Sequence, residues 1–230
     1  MMKKLLLRVV LMLLACGLYT APTFANVSLY DWSVNIDGVL SELGLGGDPV
    51  PAGMNVSGFD NLTGLGTITV TVSGPGSHFV GLFVDHEIDE AINTYFNETG
   101  ATSGTPAAGQ SWEIDEPGFV FGDIYTHFAA STLDNFNAVP VGSPEDVSMA
   151  LGWEFSVASG FPGIVEFNLS DVAPLGGFYL MQNDPDSGGS VYFSSDFSVV
   201  PLPGAFILVV LGLGPAGSLV GRFQRRRTQK

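Results

Sequence analysis

MALGWEFSV, residues 149–157, alternates from end to end. Met149, Leu151, Trp153, Phe155 and Val157 fall on one side of an extended chain, and Ala150, Gly152, Glu154 and Ser156 on the other. Period two over nine residues specifies a strand with one buried face, because a helix would gather its apolar residues at spacings of three and four. The pattern recurs outward from there. In GTITVTVSG (66–74), Ile68, Val70 and Val72 oppose Thr67, Thr69 and Thr71, and in IVEFNLS (164–170), Val165, Phe167 and Leu169 oppose Glu166 and Asn168. Further strands are expected over 27–34, 78–87, 119–128, 177–182 and 190–200. SGPGS, GATSGTPAAG, GFPG and NDPDSGG separate them with turn chemistry. Residues 40–66, rich in Gly and Pro, read as a long loop. One segment dissents: in DHEIDEAINTYF (85–96), Ile88, Ala91, Ile92, Tyr95 and Phe96 recur at helical spacing, so a short helix or a long excursion is expected there. Eight or more short strands without alternating helices predict a mainly β chain. The expected fold is a single antiparallel β-sandwich, jelly-roll-like, over residues 26–199.

Charge divides the chain more sharply than hydropathy does. The eight basic residues are Lys3, Lys4, Arg8, Arg222, Arg225, Arg226, Arg227 and Lys230, whereas all 23 acids lie between Asp31 and Asp196. Residues 9–221 therefore hold no Lys and no Arg. That removes Schiff-base lysines, phosphate-cradling lysines and arginine clamps, and it excludes nucleic acid as a partner by repulsion. No G-x-S-x-G occurs, and HEIDE at 86–90 lacks the second His of a zinc protease helix. No catalytic motif is found, and the expected role is not enzymatic.

The two ends account for the bases. Residues 1–25 combine a basic start, an apolar stretch and Thr23-Phe24-Ala25, which predicts a signal peptide cut between Ala25 and Asn26. A lipoprotein reading of LLAC, ending at Cys16, is the alternative. Cleavage after Ala25 leaves a chain without cysteine, which must fold on its core alone. Near the other end, an apolar stretch reaches Val220 and Arg225, Arg226 and Arg227 follow, so one membrane span with a cytoplasmic basic end is expected.

The order of parts in VPLPGAFILVVLGLGPAGSLVGRFQRRR (200–227) resembles the PEP-CTERM sorting signal in its VPLP variant. Val200, Pro201, Leu202 and Pro203 form the entry, a helix rich in small residues follows, and the Arg cluster closes it. Leu202 stands where the family name has Glu, Pro215 interrupts the helix, and residues 228–230 run on as a tail. The resemblance implies a Gram-negative, biofilm-forming bacterium, recognition by an exosortase, removal of the tail near Pro203, and delivery to the cell surface or extracellular matrix. The body phrases DHEID, GQSWEIDEPG, GDIY and DVSMALGW resemble those of exported PEP-CTERM proteins over most of residues 79–197. That likeness carries over no catalytic residue.

Within the body, Asp85, Glu87, Asp89 and Glu90 gather hard oxygen ligands and make the candidate Ca²⁺ set. Glu113, Asp115, Glu116 and Asp123 form a second acidic group beside Trp112. Asn183, Asp184 and Asp186 read as a turn. His78 and His86 would share a face of one strand. Trp112, Tyr125 and Tyr192 are candidate sugar platforms. The leading expectation is an exported structural or adhesive protein that meets anionic exopolysaccharide through divalent cations, with signal peptidase and exosortase as partners during export. A Ca²⁺-assisted carbohydrate-binding module and a secreted hydrolase with a carboxylate pair are the alternatives.

Overall fold

A computed structural model describes residues 26–90, 94–118 and 120–200. The predicted signal peptide with Cys16 and Ala25, and Pro201, Leu202, Pro203, Arg225, Arg226 and Arg227 of the sorting signal, lie outside the described residues.

The first five strands are β1 (Val27–Ile36), β2 (Val39–Glu42), β3 (Met54–Asp60), β4 (Leu65–Val72) and β5 (Gly76–Ile88). After a 3₁₀ turn at Tyr95–Asn97 come β6 (Thr99–Ser103) and β7 (Gln110–Asp115), then one short helix, α1 (Ile124–Ala129). The last four strands are β8 (Ser148–Val157), β9 (Gly163–Ser170), β10 (Tyr179–Asn183) and β11 (Ser190–Val199). They form a five-stranded sheet, β2-β1-β5-β8-β7, and a six-stranded sheet, β3-β4-β9-β11-β10-β6. All strand pairs within both sheets are antiparallel.

The two sheets share one hydrophobic core. Leu82, Val84, Met149 and Leu151 enter it from the first sheet, and Ile68, Phe167, Leu180 and Phe193 from the second. The alternation of residues 149–157 is realised as predicted, with Trp153, Phe155 and Val157 on the core side and Glu154 and Ser156 exposed. The outer face of the first sheet is covered in its middle by α1. Ile124 and Phe128, one turn apart, close over Phe83, Ala150 and Leu133 as a second small core.

Three expectations change. Of the strand expected over 119–128, the described residues 120–128 form none: α1 occupies Ile124–Ala129, because burying Ile124 and Phe128 together requires helical spacing. The reading of residues 40–66 as a loop gives way to β2 and β3. β2 is joined to β1 by Asp37 and Gly38, whose φ values of 55° and 81° make the two-residue hairpin turn for which Asp-Gly is suited. In residues 85–96, β5 continues to Ile88 and Asp89 turns the chain with φ 55°, leaving only the 3₁₀ turn among the described residues.

Candidate functional site

Strand pairing gathers the acids. On β5 the side chains of Phe83, Asp85 and Glu87 face outward, away from Leu82 and Val84 in the main core. Register then lays Asp31 beside Asp85, Asp85 beside Ser148, and Ser148 beside Asp115, one row across four strands. Three of its four members are carboxylates. Ser148 donates its hydroxyl to Asp85 Oδ1 at 3.0 Å.

Loops at one end of the sheet add more acids. Glu145 donates its backbone N–H to the Glu98 carbonyl at 3.1 Å, which seats Asp146 beside the end of β5. The 116–123 loop folds back on itself, with Asp123 N–H bonded to Asp115 Oδ2 at 2.8 Å. Gly122 permits that return: its φ is 78°, and a Cβ there would stand 2.2 Å from the Glu116 carbonyl. The result is a cleft of about 440 Å³. Its acidic lining is Asp85, Glu87, Glu90, Glu116 and Asp146, and its rim is Tyr30, Tyr95, Phe96, Val120 and Phe121.

Asp85, Glu87, Glu116 and Asp146 are poor anions where they stand. Burial, then the charge of Asp146, raises Asp85 well above the ordinary range. Burial, then Asp146 and Glu90, raises Glu87 to about 7. Asp146 rises to about 6 through burial and the charge of Glu116. Glu116 also rises, through burial and then Glu145. Just beneath, Glu98 is 1% exposed and pushed up to about 9 by burial, although bonds from Gln182 and the Ile88 N–H favour its charge. Glu87 Oε2 and Asp146 Oδ1 are buried without a hydrogen-bond partner. Such oxygens cost free energy unless a proton or a cation meets them.

A second cluster lies at α1. His127 Nδ1 is 2.9 Å from Glu113 Oε1 and 3.5 Å from Asp123 Oδ1. Among the described residues, this is the one trio of His, Cys, Asp or Glu whose ligand atoms all lie within 4.8 Å of one another. The hydrogen bond to Glu113 raises His127 above its ordinary value.

Of the candidate Ca²⁺ set, Asp85, Glu87 and Glu90 line one cleft. Asp89 is turned aside, its Oδ1 accepting from the Asn26 N–H at 2.8 Å. The three candidate sugar-binding aromatics are dispersed. Trp112 is half-buried against the main core near Phe178. Tyr125 lies on α1 and donates to Glu42 Oε1 at 2.8 Å. Tyr192 pairs edge-on with Tyr179 on β11 and β10. His78 and His86 sit at opposite ends of β5, roughly 26 Å apart along a strand. His78 is paired with Asp37, and His86 is fully buried, which lowers it to about 4. Asp184 accepts backbone N–H bonds from Asp186 and Ser187, the turn expected of that segment.

Sequence reasoning missed Asp146 in the cleft, Glu98 beneath it, and the aromatic rim at Tyr30, Phe96 and Phe121. Comparison with known proteins finds no matching family, no matching curated protein and no matching solved structure.

Proposed function

We propose that the chain is an exported cell-surface or extracellular-matrix protein, structural or adhesive in role, whose acidic body holds cations. In this reading the body is a jelly-roll-like sandwich flanked by a signal peptide and an exosortase sorting helix. Cations, Ca²⁺ among them, neutralise its carboxylates and link it to anionic exopolysaccharide. The observation that carries the proposal is the cleft at the end of β5: five acids line it, and residues 9–221 offer no Lys or Arg to neutralise them. Mutual repulsion of that kind is relieved by mobile cations, which then stabilise the fold by mass action.

The delivery half of the proposal is tested by intact mass of the protein from cells and from medium. The expected species starts at Asn26 and ends near Val200–Pro203. A surface species that retains the Arg cluster would overturn sorting by tail removal. The binding half is tested by chelator: matrix-held protein should be released into the medium, and retention of all of it would overturn cation bridging.

A further inference from the structure

The cleft at the end of β5 has features that discriminate among cations. A Ca²⁺ ion binds oxygens about 2.3–2.6 Å away, so its ligand oxygens lie within about 5 Å of one another. No three carboxylates of this cleft come within 4.8 Å of one another, the only such trio among the described residues being Glu113, Asp123 and His127. A volume of about 440 Å³ also exceeds what a bare ion fills and falls within the range of small-molecule clefts.

The rim is the second discriminating feature. Tyr30 is 51% exposed, Phe96 55% and Phe121 67%, although all three border a charged cavity. Tyr95 and Phe96 stack obliquely with ring centroids 4.1 Å apart, presenting a continuous aromatic wall. Aromatic faces attract organic cations and pack against carbon-bearing bodies. A strongly hydrated metal ion gains little from them. At the floor, Glu87 is only 7% exposed, yet its Oε2 has no donor. Asp146 Oδ1 is in the same condition. A primary ammonium brings three N–H donors and a positive charge to such acceptors.

We infer that this cleft binds a primary ammonium group carried on a small organic body. The ammonium sits between Glu87 and Asp146, whose unpartnered oxygens accept two of its N–H groups, and the body lies against the exposed rings of Phe96 and Phe121. An amino sugar and an alkyl amine share this chemistry. The inference rests on the cation-holding reading above and names the kind of cation the cleft selects.

Calorimetric titration of the full chain at constant ionic strength tests it, with glucosamine, cadaverine, N-acetylglucosamine and Ca²⁺ as probes. Glucosamine or cadaverine should bind, whichever of the two does so identifying the source, while neutral N-acetylglucosamine should not. Glu87→Gln should weaken the amine at least about tenfold by removing a charge-assisted partner. Phe121→Ala, on an exposed ring where folding is not at stake, should weaken it roughly threefold through lost packing of the ring against the organic body. Equal binding of glucosamine and its N-acetyl form, or an affinity untouched by Glu87→Gln, would overturn the inference. Ca²⁺ binding with no amine binding would overturn it while leaving the cation-holding reading intact. Silence from every cation would end both.

Discussion

Replacing Glu87 by Gln should stabilise this protein at alkaline pH, the reverse of what most substitutions of a buried residue do. The folded carboxyl titrates at about 7 against an ordinary 4.5, pushed up first by burial and then by Asp146 and Glu90. A carboxyl raised in the fold holds its proton there and releases it on unfolding. Its contribution is therefore fully favourable below about pH 4.5 and is lost as pH rises through about 7. That interval corresponds to about 3 kcal/mol at pH 8. Water in the cleft screens part of it, leaving about 1–2 kcal/mol. Gln keeps the shape without the charge. At about 2–4 °C per kcal/mol for a domain of this size, Tm should rise by about 2–8 °C at pH 8 and hardly change at pH 4. Scanning calorimetry of the full chain in chelated phosphate buffer, free of amines, measures both. A change in Tm that is the same at the two pH values would refute the reasoning, since it would mean that the Glu87 charge costs the fold nothing.

Other consequences can be checked alongside. Between about pH 6.5 and 9 the stability of the unliganded protein should fall by about 1.4 kcal/mol per pH unit for each proton the fold retains, Glu98 with its value of about 9 being the principal holder. Urea titrations at three pH values suffice, and a rise in stability over that range would contradict it. His86, lowered to about 4, works the other way only below about pH 6.5. Phe128→Ala should cost about 3–5 kcal/mol in chemical denaturation, because the ring is fully buried beneath α1; a loss under about 1 kcal/mol would deny the second core. Trypsin acting on the urea-unfolded chain should leave residues 9–222 as one fragment, and internal cleavage would contradict the charge partition.

Alternation was the readable signal, and it reached further than the core. The same period two that buries Met149 and Leu151 places Asp85 and Glu87 together on the outer face of β5, so half of the acidic cleft was visible in one segment. The other half is long-range. Asp146 and Glu116 arrive through the Glu98–Glu145 bridge and the turn at Gly122, contacts that no local pattern encodes. The stretch FVFGDIYTHF misled because its apolar residues also fit alternation. The four-residue spacing of Ile124 and Phe128 was the competing signal, and the need to cover Phe83 made it prevail. β2 was announced by Asp37-Gly38, the pair that hairpin turns favour. β3 had no such mark: its register slips between Asn55 and Gly58, and most of its residues face solvent.

The central claim is that these carboxylates hold protons until a cation replaces them. Titrating cadaverine into the full chain at pH 6.5, in two buffers of different ionisation enthalpy, reads that exchange directly. Glu87 at about 7 and Asp146 at about 6 are then largely or partly protonated in the empty cleft. Binding should release on the order of one proton per cation, seen as an observed enthalpy that changes with the buffer. Binding with an identical enthalpy in both buffers would contradict the account.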